Sequence, residues 1–199
     1  MSLTRKAAGS LVVLCLVATA TGTPQAIRPQ FGVATGLTVP VGDYRAGFSR
    51  ALQGMALVAF TLPGSRLGFR VDGTYGTNGA NDRLKAELTS RLGQPTDEQT
   101  KLLGGNLDLT YAFRSAARAQ PYLLGGLGVY HVTISVTSGD STVANAETKL
   151  AWNLGAGVSY GLGRVAAFLE ARYVNLAAVS GFPRTTFLPI IAGVRFGDR

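Results

Sequence analysis

The sequence predicts an all-β chain folded as an eight-stranded antiparallel up-and-down transmembrane β-barrel. Three observations predict it. An apolar leader at the N-terminus marks the chain for export. Stretches of about ten residues alternate apolar and polar side chains, the signature of strands that cross a membrane. The connections between those stretches alternate between short and long. No segment after the leader reaches the roughly 18 consecutive apolar residues of a transmembrane helix.

The leader comes first. Arg5 and Lys6 precede an apolar run from Leu11 to Ala18, too short for the roughly 20 residues a spanning helix needs. Ala18-Thr19-Ala20 fits an A-x-A cleavage pattern, and cleavage after Gly22 or Ala26 is also compatible. Residues 1–26 therefore read as signal peptide and leader, and residues 27–199 as the barrel domain. The only cysteine, Cys15, lies inside the leader and follows Leu14 rather than the small residue of a lipoprotein site. The mature chain then has no disulfide, which suits a fold held by backbone pairing in lipid. The net charge of +8 is spread along the chain without aromatic stacking motifs. In an exported protein that argues against nucleic acid and for contact with anionic lipid headgroups.

Eight stretches carry the alternation: residues 30–39, 50–61, 67–77, 101–113, 121–134, 148–160, 165–175 and 185–196. In the third, Leu67, Phe69, Val71 and Tyr75 oppose Gly68, Arg70, Asp72 and Thr74. In the fourth, Leu103, Leu107, Leu109, Tyr111 and Phe113 oppose Gly104, Asn106, Asp108, Thr110 and Ala112. In the sixth, Trp152, Leu154, Ala156, Val158 and Tyr160 oppose Asn153, Gly155, Gly157 and Ser159. The fifth has no unique phase, because Tyr122 and Leu123 both suit the outward position. The polar face is rich in Gly, Asn and Ser, which suits a crowded lumen better than a solvated surface. Phe31, Phe60, Tyr75, Tyr111, Phe113, Trp152, Tyr160, Tyr173 and Phe196 sit where interface girdles belong.

The links 62–66, 114–120 and 161–164 are short, whereas those after strands one, three, five and seven are longer. Short periplasmic turns with longer outer loops fit a barrel whose even strand count leaves both termini in the periplasm. The longest link, Asn78–Thr100, contains a helical pattern over Asn81–Leu92. Asp82 can cap it, Gly93 and Pro95 end it, and Glu87 with Arg91 forms an i, i+4 pair. Its stripe of Leu84, Leu88 and Leu92 suits docking on a surface partner or headgroups, or folding over the barrel rim.

The segments GVATGLTVPVGDY (Gly32–Tyr44), LGFRVDG (Leu67–Gly73), PYLLGGLGVY (Pro121–Tyr130), WNLGAGV (Trp152–Val158), FLEARY (Phe168–Tyr173) and FLPIIAGVRF (Phe187–Phe196) resemble the outer-membrane β-barrel domain family. This is the eight-stranded group that includes the OmpA transmembrane domain and OmpX. The resemblance implies an integral bacterial outer-membrane barrel without a common catalytic residue. It also implies that assembly machinery reads the last strand, where Ile190, Ala192, Val194 and Phe196 supply the alternating apolar pattern. The chain departs from that pattern by continuing through Gly197, Asp198 and Arg199, and in the placement of Gly193.

With the aliphatic face toward lipid, the lumen receives Arg70, Asp72, Asp108, Glu170, Arg172 and Arg195, together with Gln53, Asn106 and Asn153. Three positive charges face three negative ones. Arg195 falls low and the other five fall near mid-height. Buried charges must be paired, and eight strands leave an interior that side chains can fill. The expectation is a salt-bridge network that plugs the lumen; a path for protons or small solutes lined by the same residues is the alternative. His131, Thr133, Ser135 and Glu147 distantly resemble a lipid A deacylase arrangement, in which histidine activates a hydroxyl. The spacing departs from it, so no catalytic residue is assigned. A lone histidine gives no metal site, and no cofactor is expected. The predicted function is that of a structural or surface-interaction barrel acting through its outer loops, with a narrow channel and a lipid-modifying enzyme as alternatives.

Overall fold

The computed structural model describes residues 28–42, 49–80, 82–93, 96–115, 118–138, 141–178 and 185–197. The leader, its cleavage sites and Cys15 lie outside the described residues, as do the side chains of Asp82, Leu84, Leu88 and Leu92, and Pro95.

Eight strands follow in chain order: β1 (Pro29–Val41), β2 (Ala51–Thr61), β3 (Leu67–Gly79), β4 (Thr96–Ala112), β5 (Ala119–Ser138), β6 (Ser141–Leu162), β7 (Val165–Leu176) and β8 (Thr185–Phe196), with one helix, α1 (Asp82–Leu92), between β3 and β4. Each strand pairs antiparallel with the next. β8 returns to β1, from Phe31↔Phe196 to Val41↔Thr186, so the sheet closes and has no edge at this level. Closure gives each strand a partner on both sides, with one break in the β7–β8 ladder at Pro189, and a closed ladder is the condition for a sheet to span a bilayer.

The apolar face points outward. Phe69, Val71, Leu107, Leu109, Leu127, Leu154 and Leu169 are all exposed on the barrel wall. In β5 the register decides the phase that the sequence leaves open: Leu123 faces out and Tyr122 is buried in the lumen. Aromatics fall at both rims. Phe31, Phe113, Tyr160 and Phe196 lie toward the end with the short turns, and Tyr75, Trp152 and Tyr173 lie toward the other, where the Trp152 and Tyr173 rings are 5.4 Å apart.

The short turns fold tightly. Leu62 N–H donates to Leu67 O at 3.0 Å, and Ser65 N–H to Leu62 O at 3.0 Å. Gly163 takes a φ of 73° in the β6–β7 turn, a conformation that L side chains rarely adopt. At the opposite end the expected long loops change character. The β5–β6 link is a continuation of the hairpin itself, which pairs all the way to Ser138↔Ser141. Likewise β4 begins at Thr96, so the Asn78–Thr100 link reduces to α1 and its two junctions. Seven of the twelve residues 132–143 are Val, Ile or Thr, and β-branched residues favour strands. A polar strand in water lacks the apolar alternation that marks a membrane strand, which is why its extent escapes a periodicity search. Helix α1 ends at Gly93, whose N–H donates to Thr89 O at 2.9 Å with φ at 68°.

Candidate functional site

The lumen is closed at mid-height by charged side chains from β3, β4 and β7. Arg70 forks onto Glu170, Nη1 to Oε2 at 2.7 Å and Nη2 to Oε1 at 2.8 Å. Its Nε donates to Asp72 Oδ2 at 3.2 Å. Arg172 reaches Asp72 Oδ2 at 2.7 Å and Asp108 Oδ2 at 3.2 Å, and its Nε donates to Glu170. The amides complete the carboxylates: Asn106 donates to Asp72 Oδ1 and Asn153 to Asp108 Oδ1, each at 2.8 Å. Tyr122 O–H donates to Glu170 Oε2 at 2.7 Å, and Tyr130 O–H to Asn106 Oδ1 at 3.1 Å.

Neighbouring glycines make room for this cluster. A methyl at Gly104 would fall on the Tyr130 ring, and one at Gly157 on the Tyr122 ring. Glycine on the lumen face therefore serves as the floor on which the large polar side chains of the adjacent strand lie.

Five of the six expected lumen charges thus meet. Arg195 does not join them. It lies nearer the short-turn end, its guanidinium 5.7 Å from the centre of the Tyr122 ring and 5.6 Å from that of Phe168, distances at which a cation is attracted to a ring face. The expected balance of three against three therefore becomes two guanidiniums with three carboxylates at the centre, and a separate cation below. Lys149, a lumen charge absent from the sequence-based set, is buried above. The alternation that places Ala151 and Asn153 inward also places Lys149 inward, so the signal is present in the period of β6 itself.

The remaining lumen is less polar than expected. Met55, Leu57, Ala59, Phe168 and Ile191 form one apolar cluster, and Leu102, Tyr130, Val132, Val174, Leu176 and Phe187 another. Both faces of β2 and β8 are apolar, so alternation alone could not show this. Thr38 Oγ1 donates to Gln53 Oε1 at 2.6 Å beside the first cluster.

The histidine arrangement does not form. His131 stands opposite Thr148, with Nδ1 3.2 Å from the Thr148 Oγ1, whereas Glu147 stands opposite Val132. Directly opposed residues share a face and successive residues alternate, so His131 and Glu147 occupy opposite faces of the hairpin. Among the described residues no group of His, Cys, Asp or Glu could hold a metal ion.

Residues 17–175 match the family described as "Putative MetA-pathway of phenol degradation". The chain belongs to this family. Comparison with curated proteins found no match. Among solved structures the barrel is similar to the Neisserial surface protein A, NspA, with a TM-score of 0.57 at 20% identity over 85% of this chain and 96% of that one. It is similar also to a major outer membrane protein from Thermus thermophilus, with a TM-score of 0.62 at 12% identity over 85% and 99% of the two chains. A third is Ail, the attachment invasion locus protein of Yersinia pestis, in complex with the heparin analogue sucrose octasulfate, with a TM-score of 0.54 at 12% identity over 85% and 99%. At these identities the likeness is one of fold. The chain thus shares the closed eight-stranded fold of these outer-membrane barrels.

Proposed function

We propose that this protein is a surface-interaction barrel: a closed, plugged anchor in the outer membrane that displays a rigid β-ledge outside it. The observation that carries this reading is the length of the β5–β6 hairpin. A strand crosses the hydrocarbon with about 9–11 residues, whereas β5 has 20 and β6 has 22. The β6–β7 ladder ends at Ala151↔Leu176, so among the described residues 141–149 pair with β5 only. Their free edge offers backbone donors and acceptors to an extended partner strand, the arrangement used in strand-addition recognition. The plug supports the same reading, since its charged side chains are almost wholly buried and leave the centre filled.

Within this proposal residues 1–26 are removed on export, residues 27–199 form the mature barrel, and the β8 pattern Ile190, Ala192, Val194 and Phe196 is what the assembly machinery recognises. The six lumen residues Arg70, Asp72, Asp108, Glu170, Arg172 and Arg195 are structural. The test pairs two experiments on purified protein. Single-channel recording should show no conductance steps. A binding screen against envelope proteins and surface polysaccharides should give a signal that is lost when Ser135–Asn145 is replaced by a two-residue turn. Reproducible conductance steps, or equal binding by parent and shortened hairpin, would overturn the reading in favour of the channel or of another surface.

A further inference from the structure

Two of the three carboxylates in the plug face each other. Asp72 Oδ2 lies 2.7 Å from Arg172 Nη2, and Asp108 Oδ2 lies 3.2 Å from Nη1 of the same guanidinium. Both oxygens also approach Arg70 Nε, at 3.2 and 3.9 Å. The two side chains are within hydrogen-bonding reach of one another. Their other oxygens are taken: Asp72 Oδ1 accepts from Asn106 and Asp108 Oδ1 from Asn153, each at 2.8 Å. Asp72 Oδ2 accepts from both arginines. Asp108 Oδ2 is buried and accepts no hydrogen bond, so its contact with Arg172 is one of charge alone. A buried acceptor without a donor is costly, and two carboxylates in contact do not both stay ionised. One proton between them removes both faults.

We infer that the plug is a proton-binding site: one proton sits on Asp108 Oδ2 and is donated to Asp72, so closing the barrel centre takes a proton from water. The protonated plug then sets two guanidiniums against two carboxylates, Asp72 and Glu170. Glu170 does not compete for the proton, because its oxygens already accept from Arg70, Arg172 and Tyr122. The other titratable groups of the lumen stand apart from the pair. Tyr122 and Tyr130 on β5 give their O–H groups to Glu170 and Asn106. Lys149 on β6 lies four residues along the strand from Asn153, and Arg195 on β8 four from Ile191, the partner of Glu170. Four residues are about 13 Å of strand. Strands β1 and β2 carry no titratable side chain.

The test uses the mature full-length barrel, folded in an ester-free detergent at neutral pH. Its infrared spectrum should contain the C=O band of one protonated carboxyl, moved by deuterated water and by isotope-labelled aspartate. The band should be missing from Asp108→Asn. An amide at 108 keeps the shape of the protonated acid, donates to Asp72 and needs no proton. Asp108→Asn should therefore fold at least as stably as the parent, whereas Glu170→Gln should lower the folding constant about a hundredfold. In urea unfolding the parent should take up one more proton on folding than Asp108→Asn, so its folding constant should fall relative to the variant's by about tenfold per pH unit as pH rises through neutrality. Where Asp108→Asn does not fold, the labelled parent spectrum decides by itself. A parent without the band, equal proton uptake by parent and variant, or a loss for Asp108→Asn as large as that for Glu170→Gln overturns the inference.

Discussion

The molecule contains the same ion pair in two settings. On α1, Arg91 Nη2 lies 2.6 Å from Glu87 Oε1, with the side chains 73% and 49% exposed. In the plug, Arg70 Nη1 lies 2.7 Å from Glu170 Oε2, with the side chains 2% and 0% exposed. The distances are nearly equal, and the expected energies are not. Water solvates the helix pair whether or not it forms, so the pair contributes roughly 0.3–0.5 kcal/mol. Inside the barrel each charge has lost its water, and removing one partner strands the others at a cost of about 3–5 kcal/mol. Surroundings, rather than separation, set the worth of a contact.

The largest break in this comparison is Glu170→Ala. It removes the acceptor shared by Arg70, Arg172 and Tyr122, and should cost about 3–5 kcal/mol in reversible urea unfolding from lipid vesicles. A loss as small as that of Glu87→Ala would mean that water reaches the plug, and conductance should then appear in the parent protein. Next, Tyr122→Phe keeps the ring over Gly157 and deletes one donor to a charged acceptor. A loss of about 1.5–3 kcal/mol by the same measurement is expected. Third, Gly126→Ala places a methyl against the Leu107 carbonyl and Asp108, where backbone cannot swing aside, and should cost about 1–3 kcal/mol. Gly79→Ala, at the outer end with nothing within 4 Å, should stay within about 0.5 kcal/mol. Similar losses for the two glycines would show the lumen to be loosely packed. The smallest effect belongs to Glu87→Ala, about 0.3–0.5 kcal/mol, and it should vanish in high salt because exposed pairs are screened.

Alternation carried most of the barrel. Gly68, Arg70 and Asp72 against Leu67, Phe69 and Val71 fixed a face without any knowledge of partners, because pleating sends successive side chains to opposite sides. The same rule placed β2 and β8 but could not show the apolar clusters they send into the lumen, because both of their faces are apolar, and it lost the strand over residues 132–147, where neither face is uniformly apolar.

By itself, then, the sequence determined the strand count, the lipid-facing surface and the set of charges sent inward, since all of these follow from a local period of two. Only the tertiary structure decided which charges meet. Arg70 and Glu170 are 100 residues apart and come together because closing the ring sets β3 and β7 across the lumen at the same height. Closure likewise left Arg195 below, among aromatic rings, and turned the outer parts of β5 and β6 into one ledge. Which face a residue occupies is a property of its own strand; what it touches across a barrel depends on the register of every strand between them.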